Sequence, residues 1–230
     1  SCIVKLHRFL VICTVAVIIM LVIVVWFFPS NDDFRTENPF WNGTRDISSS
    51  YSVSPLKSMD DLSTSYQGAA LILIPYLDFT AVELEELESF VIQGGILILA
   101  DDYGHGNQIL KYLGLKARFA GQALLDPLSN YKNKWFPRIS LTISSFVPND
   151  VESLVFNHAT ALTGVEIGDT LAQSSSFSFL DLDNNQEWNG DEPTGPMPVI
   201  SRHTLGSGQV ILISDPSIFI NSAVKKENNS

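Results

Sequence analysis

Residues 69–100, AALILIPYLDFTAVELEELESFVIQGGILILA, decide the fold of this chain. The stretch begins with an apolar run and ends with another, Ile96–Ala100, as in strands that are buried on both faces of a parallel sheet. Between the two runs, Thr80 and Glu83 have the spacing of a helix capping box, and apolar residues then recur at helical spacing until a Gly-Gly pair. The stretch therefore predicts a βαβ unit.

Further strands are predicted after this unit, with a short helix at Gln108–Leu113 between them. The expected strands are Lys116–Leu125, Arg138–Ile143, Ser153–Phe156, Leu171–Asp181, Met197–His203 and Gln209–Ser214. The last two form a pair because a tight Leu-Gly-Ser-Gly turn at 205–208 joins them. Before the unit, Tyr51–Pro55 is a candidate edge strand.

A long apolar segment precedes the predicted domain. Phe9–Phe28 contains no charged residue and, as a helix, is about 30 Å long, which is the thickness of a hydrocarbon core. Lys5 and Arg8 precede it and Asp32 and Asp33 follow it, so the positive-inside rule places the N-terminus in the cytoplasm. A cleaved signal peptide is the alternative, but no small-x-small cleavage site follows, which favours an uncleaved anchor.

These features predict four regions: a cytoplasmic N-terminus (1–8), a transmembrane helix (9–28), a stalk (29–50) and an extracytoplasmic α/β domain (51–230). The expected location is the cell membrane in single-pass topology. The expected partners are the lipid bilayer and other membrane or envelope proteins. Asn42 and Asn228 lie in glycosylation sequons, which are usable only outside the cell.

Composition excludes several classes of protein. The chain has 25 acidic residues and 14 Lys and Arg, a formal net charge of -11, whereas a nucleic-acid-binding protein needs a basic surface. We therefore expect no nucleic-acid partner. The two cysteines, Cys2 and Cys13, are too few and too close to the N-terminus for a disulfide framework or a zinc site in the domain.

Several short motifs in a fixed order carry a family resemblance. They are the helix end Gly94-Gly95, the strand Ile96–Ala100, the loop 102–107 (DYGHGN), the segment 195–198 (GPMP) and the run 208–221 (GQVILISDPSIFIN). In this order they resemble the DUF 4350 family, which is common in membrane-anchored archaeal and bacterial proteins. They are more distantly similar to auxiliary proteins of gliding-motility ABC transporters and to the class I glutamine-amidotransferase-like fold.

The resemblance covers roughly residues 50–221 and implies a flavodoxin-like α/β fold, with a mainly parallel sheet and helices on both faces. It implies no chemistry, because one fold hosts many functions. Glutamine amidotransferase activity is excluded in this chain because that activity needs a nucleophilic cysteine, and none follows Cys13.

Residues 181–192, which we call the acidic loop, have the oxygen-ligand spacing of a calcium loop. Its candidate ligands are Asp181, Asp183, Asn185, Glu187 (through its carbonyl) and Glu192, at positions 1, 3, 5, 7 and 12. Position 6 is Gln186 where the pattern has glycine, so the sharp turn requires a left-handed backbone there. The alternative is an acidic hydrophilic turn between strands. We expect a structural Ca²⁺.

A second group of polar residues follows two predicted strands, where α/β sheets bind ligands. Asp101, Asp102, His105 and Asn107 follow one strand, and Ser214, Asp215 and Asn221 follow the other. A functional interpretation makes His105 a general base beside an aspartate. The alternative, which we favour, is that Asp102 and Asp215 cap helices and the neighbouring glycines form a tight turn.

The sequence thus predicts a protein without catalytic residues that acts as a binding or scaffolding module in a cell-envelope assembly. One alternative is an accessory subunit of a transporter or secretion system. Another is an extracytoplasmic small-ligand receptor or hydrolase that uses the polar residues at the strand ends.

Overall fold

The computed structural model of the chain describes residues 2–27, 32–38, 42–51, 53–56, 58–59, 62, 68–142 and 153–224. Its helices are α1 (Cys2–Phe27), α2 (Arg45–Tyr51), α3 (Ala81–Ile92), α4 (Asn107–Tyr112) and α5 (Asn221–Val224). Its strands are β1 (Ala70–Leu73), β2 (Ile96–Ala100), β3 (Arg118–Phe119), β4 (Ala123–Leu125), β5 (Arg138–Leu141), β6 (Ser153–Val155), β7 (Leu162–Thr163), β8 (Thr170–Gln173), β9 (Phe179–Asp181), β10 (Pro198–Leu205) and β11 (Gly208–Ile213).

The predicted βαβ unit is confirmed. β1 and β2 pair in parallel, with Ala70 opposite Ile96, and α3 connects them. The Thr80 hydroxyl accepts the Glu83 N–H, and the Glu83 carboxylate accepts the Thr80 N–H in return, so both halves of the capping box form. Gly94 ends the helix with φ 112°, a conformation that a side chain would disfavour.

The main sheet has seven strands in the order β1-β2-β11-β10-β8-β5-β6. β1, β2 and β11 are parallel, whereas every pairing from β11 onward to β6 is antiparallel. The sheet forms a half-barrel with few helices. Two small antiparallel ribbons, β3-β7 and β4-β9, complete the strand pairing.

The prediction of a flavodoxin-like, mainly parallel sheet with helices on both faces is therefore wrong, and so is the amidotransferase-like assignment. Parallel neighbours need a crossover, usually a helix, between them. Between α4 and α5, the described part of the chain contains no α-helix, only a 3-10 turn at Ile167–Asp169 and another at Pro216–Phe219. The strands in this region consequently pair with antiparallel neighbours.

Most predicted strands are found, with two changes. Lys116–Leu125 divides into β3 and β4, and Leu171–Asp181 divides into β8 and β9. The predicted hairpin is confirmed: β10 and β11 pair with Leu205 opposite Gly208, and Gly206 takes φ 60° in the turn. Tyr51 belongs to α2 rather than to an edge strand.

The core consists of two groups of buried side chains, one for each half of the sheet. The parallel half packs α3 and α4 on the sheet, with Leu87, Leu99 and Leu212 fully buried. The antiparallel half is filled by the side chains of its own strands and loops, including Ile139 and Phe156.

The N-terminal apolar run lies in α1. Across the described residues, no helix has both the length and the apolarity to cross a membrane. The predictions of a transmembrane helix, of single-pass topology and of a cell-membrane location with an extracytoplasmic domain are corrected accordingly, because this structure does not support them.

Candidate functional site

The polar residues that follow the parallel strands come together, as the sequence predicts. β2 and β11 are parallel neighbours, so Asp101 and Asp102 leave the sheet beside Ser214 and Asp215. The Asp101 N–H donates to the carbonyl of Ile213 at 3.1 Å, which extends the pairing of the two strands by one residue. We call the loops that follow the carboxyl ends of β1, β2 and β11 the strand-end edge.

Asp101 is buried, and its carboxylate organises the loop that follows β2. One oxygen accepts the backbone N–H groups of Tyr103 at 2.9 Å and Gly104 at 3.1 Å. The other oxygen accepts the N–H of Gly106 at 2.6 Å. These three charge-assisted hydrogen bonds close the tight turn, so the carboxylate of Asp101 stabilises the loop that follows β2. Asp102 therefore does not cap α4 as predicted: the N-cap of this helix is Gly106, which has no side-chain cap, and Asp101 stabilises the loop before it.

Asp215 has a similar structural role and is fully buried. It accepts the N–H of Ser217 at 2.8 Å and that of Asn157 at 2.5 Å, which confirms its predicted role as a cap. Burial raises the pKa of Asp215 to about 7, with a further contribution from the charge of Asp102, against the opposing effect of the hydrogen bonds. Burial, followed by the charge of Asp101, raises the pKa of Asp102 to about 6.

The other predicted ligand-binding residues are His105, which is exposed, and Asn107 and Asn221, which form hydrogen bonds to the backbone. His105 is exposed and lies with its ring centroid 6.4 Å from that of Tyr103. Asn107 donates to the carbonyl of Phe119 at 3.0 Å and accepts its N–H at 2.9 Å. Asn221 donates to the carbonyl of Asn38 at 3.1 Å, and thereby attaches the segment before α2 to the sheet. Both asparagines hold chain segments together.

The acidic loop connects β9 to the segment before β10. The structure brings three of its predicted ligands together, since carboxylate oxygens of Asp181, Asp183 and Glu192 all lie within 4.8 Å of one another. Gln186 has φ 66°, the left-handed conformation that the calcium-loop pattern requires at this position. Asn185 donates its side-chain amide to Asp183 at 3.0 Å and accepts the N–H of Glu187 at 2.7 Å.

Two buried side-chain atoms lack a hydrogen-bond partner within the part of the chain that the structure describes. They are Asp181 Oδ1 in the acidic loop and Ser214 Oγ at the strand-end edge. A buried oxygen without a partner costs free energy, so each of these atoms is a position where a water, an ion or a ligand would be stabilising. The sequence pointed to Asp181 through ligand spacing and to Ser214 through its position directly after the strand that ends at Ile213.

A further polar arrangement was not predicted. The Ser201 hydroxyl lies 2.9 Å from His203 Nε2, and His203 Nδ1 lies 3.6 Å from a carboxylate oxygen of Asp169. This is the order of groups in a hydrolytic triad, but Ser201 is fully buried and out of reach of a substrate. Burial also lowers the pKa of His203. The only sequence signal was that positions 201 and 203 face the same side of a strand.

The two predicted glycosylation sites differ in their surroundings. Asn42 lies in a turn, where its amide donates to Asp33 at 2.5 Å and its oxygen accepts a hydrogen bond from Asn38 at 3.1 Å. Asn228 lies outside the described residues. Thr44, the third residue of the first sequon, is buried.

The family resemblance of the short motifs extends over most of the chain. Residues 38–230 match the family described as "Domain of unknown function (DUF4350)". The chain belongs to this family. The match covers α2 to α5 and so includes both the strand-end edge and the acidic loop. The more distant similarity to auxiliary proteins of gliding-motility ABC transporters stays a prediction. A comparison with curated proteins found no match.

Solved structures show relatives of the fold. The structure titled "mmIFT52 N-terminal domain" is 16% identical with a TM-score of 0.50, and the alignment covers 69% of this chain and 71% of that one. A β-galactosidase from Bacillus circulans sp. alkalophilus is 14% identical with a TM-score of 0.42, and the alignment covers 68% of this chain but 21% of the enzyme. At 16% identity the likeness to the first structure concerns the fold alone, and it assigns no activity to the chain.

Proposed function

We propose that this chain is a non-catalytic binding module that contacts a protein partner through its strand-end edge. The observation that carries the proposal is the exposure of three large side chains there. Tyr76 and Leu77 follow β1 and are 76% and 67% exposed, and Tyr103 follows β2 and is 78% exposed. Because β1 and β2 are parallel neighbours, these side chains emerge at the same edge of the sheet.

This edge is where open α/β sheets bind their ligands. Single exposed apolar residues are common on protein surfaces, but tyrosines grouped at such an edge are typical of protein interfaces. Tyrosine contributes a large, rigid contact area and loses little conformational entropy on binding. The side chains at this edge therefore suit contact with a protein surface.

The carboxylates beneath this surface support a role without catalysis. Asp101 already accepts three backbone N–H groups, and Asp215 accepts two while fully buried. A general base must lie within hydrogen-bond reach of its substrate, whereas both of these carboxylates are buried. These two carboxylates are instead part of the framework on which Tyr103 is displayed.

The acidic composition narrows the class of partner. A net charge of -11 opposes binding to nucleic acid and favours a protein partner with a basic face, which the field of the domain would attract. If the expected similarity to auxiliary proteins of ABC transporters holds, a subunit of a transporter or secretion complex is the first partner to examine.

The proposal is tested by native purification of the full chain and of a Tyr76→Ala/Tyr103→Ala double variant. The control is Ile167→Ala, since Ile167 is 96% exposed and lies in a 3-10 turn away from the strand-end edge. We expect specific co-purifying proteins to be lost with the double variant and retained with the control, while circular dichroism spectra stay unchanged. If the same co-purifying proteins are recovered in equal amounts with the full chain, the double variant and the control, the proposal is wrong.

A second candidate function is a small-ligand site at the same edge, with or without hydrolysis. It is favoured by half-buried Asp102, whose raised pKa is typical of functional sites, together with exposed His105 in the same loop. Screening sugars, peptides and nucleotides for a thermal shift tests this candidate. We expect a true ligand to lose its effect in His105→Ala and Asp102→Ala but to keep it in Tyr76→Ala. A shift that survives the first two changes would exclude this site.

A further inference from the structure

The acidic loop contains a carboxylate that the protein itself does not satisfy. Asp181 is 1% exposed, at the end of β9, and one of its oxygens accepts the Gln186 N–H at 3.0 Å. The other, Oδ1, has no hydrogen-bond partner among the described residues. An ionised oxygen without a partner in a buried position is costly, so native proteins pair it with a donor or a cation.

The surroundings of this oxygen are acidic. Carboxylate oxygens of Asp183 and Glu192 lie within 4.8 Å of those of Asp181, which places three negative charges around one point. Like charges at this separation repel each other, and the repulsion is screened least between Asp181 and Glu192, which are buried, whereas Asp183 is exposed. A cation between them would convert this repulsion into attraction and would also supply the missing partner of Asp181.

The backbone of the loop holds the carboxylates in place. Glu192 accepts the N–H of Leu182 with one oxygen at 2.7 Å and the N–H of Asn189 with the other at 3.0 Å. Because each carboxylate oxygen has two lone pairs, both oxygens keep one for a metal ion. Glu192 is therefore fixed by the backbone and still has lone pairs for an ion, as the glutamate at position 12 of a calcium loop requires.

The spacing and chemistry of the ligands favour calcium over other metals. Ca²⁺ binds oxygen at 2.3–2.6 Å, so one ion bridges oxygens up to about 5 Å apart, whereas Mg²⁺ bridges only about 4.2 Å. The three carboxylate oxygens all lie within 4.8 Å of one another, so one Ca²⁺ ion reaches them, and the oxygen-ligand spacing at positions 1, 3, 5, 7 and 12 is that of a calcium loop. The candidate ligands are all oxygens, without the imidazole or thiolate groups that zinc prefers.

We propose that the acidic loop is a calcium-binding site. The carboxylates of Asp181, Asp183 and Glu192 bind the ion, and Asn185 and the carbonyl of Glu187 complete its oxygen shell. The ion neutralises the loop and fixes the connection from β9 to β10. This inference is independent of the proposed partner-binding function, because the strand-end edge contributes no ligand.

One contact extends the effect of the ion beyond the loop. The Lys134 ammonium donates to the carbonyl of Gln186 at 2.6 Å, and the Lys134 carbonyl accepts the N–H of buried Asp126. The acidic loop is thus connected to the segment between β4 and β5. Calcium that fixes Gln186 also holds this second connection in place.

The test uses the full chain, titrated with CaCl₂ by calorimetry and unfolded thermally with calcium or with EDTA. Asp181→Asn removes a ligand charge and leaves the shape of the side chain almost unchanged. Asp191→Asn removes the same charge from an exposed residue of the same loop, outside the three-carboxylate cluster, and is the matched control. Asp183→Asn is a second ligand variant at an exposed position that does not threaten folding.

We expect one calcium ion per chain and a higher melting temperature with calcium than with EDTA. Asp181→Asn and Asp183→Asn should each weaken calcium affinity by more than about tenfold, whereas Asp191→Asn should change it by less than about threefold, as for a screened surface charge. MgCl₂ alone should bind more weakly than CaCl₂. No saturable binding below about 10 mM calcium, equal losses in Asp191→Asn and Asp181→Asn, or tighter binding of magnesium would each overturn the proposal.

A second measurement locates the ion. Trp188 lies in the acidic loop, and its indole N–H points to the carbonyl of Glu192 at 3.4 Å. Terbium bound in the loop should therefore luminesce on excitation of tryptophan, and CaCl₂ should quench the signal by displacement. Trp188→Phe should abolish most of this luminescence while calorimetry still detects calcium. Full luminescence in Trp188→Phe would place the ion elsewhere and contradict the proposal.

Discussion

The strand-end edge and the acidic loop both concentrate carboxylates, but they use the oxygen lone pairs differently. At the strand-end edge, both oxygens of Asp101 accept backbone N–H groups. In the acidic loop, Asp181 is equally buried, yet one of its oxygens has no partner among the described residues. The carboxylate at the edge stabilises the fold, whereas the carboxylate in the loop requires something that the protein does not supply.

A buried aspartate is therefore not by itself a sign of function. The number of donors around it decides whether it belongs to the scaffold or to a site. Asp101 and Asp181 have the same chemistry, each stands where a strand ends, and both were candidates on sequence. Only the positions of surrounding N–H groups distinguish them.

The largest expected effect comes from replacing the carboxylate that supports the strand-end edge. Asp101→Ala should lower the free energy of unfolding by about 2–3 kcal/mol, because three backbone N–H groups lose their acceptor. Asp102→Ala, at the neighbouring half-buried position, should cost less than about 1 kcal/mol. Urea unfolding measures both, and equal losses would show that Asp101 is not the structural carboxylate.

The next prediction concerns Asp215 and pH. Its pKa rises from the usual 3.8 to about 7 in the folded chain, so the folded state binds a proton more tightly than the unfolded state. This contribution to stability is complete below pH 3.8 and is lost as the pH rises through about 7. Urea unfolding between pH 4 and 8 should therefore show a smaller fall in stability for Asp215→Asn than for the unsubstituted chain. Parallel curves would contradict the raised pKa.

A smaller effect of opposite sign is expected in the acidic loop. In EDTA, Asp181→Asn should raise the stability of the chain by about 1 kcal/mol, because it removes one of three crowded negative charges. Asp101→Asn should lower stability under the same conditions. Chemical unfolding of both variants in EDTA measures the two changes in the free energy of unfolding, which should have opposite signs. If both variants lose stability in EDTA, Asp181 also has a structural role.

The smallest effect concerns the backbone of the acidic loop. Gln186 has a left-handed conformation that costs about 1 kcal/mol in a residue with a β-carbon. Gln186→Gly should therefore stabilise the chain by about 0.5–1 kcal/mol and strengthen calcium binding, whereas Gln186→Ala should do neither. Thermal unfolding with calcium and with EDTA checks both variants. A gain in the alanine variant would show that the backbone strain is not the cause.

Local signals predicted the best-defined parts of the fold. The capping box at Thr80 and Glu83, the helix end at Gly94 and the hairpin turn before Gly208 were all correct, because each depends on residues a few positions apart. The overall sheet was predicted wrongly. An apolar strand such as β2 looks alike in a fully parallel and a mixed sheet, so the choice of neighbours is not encoded in the strand itself.

The candidate sites were also predicted only in part from the sequence. Ligand spacing pointed to Asp181, Asp183 and Glu192, and the structure brings their oxygens together. The sequence could not reveal that Asp181 Oδ1 lacks a hydrogen-bond donor. Nor could it reveal that Ser214 is buried beside the two aspartates of the strand-end edge. The alignment of Ser201, His203 and Asp169 also depends on contacts across the fold.

The amino-acid sequence by itself determined the βαβ unit, the hairpin and the positions of the acidic residues, since these follow from local periodicity, caps and turns. The tertiary structure alone decided that the sheet is mixed and which carboxylates are satisfied. The physical reason is that strand pairing and the satisfaction of a buried charge depend on groups far apart in the chain, such as Asn157 and Asp215, which only folding brings together.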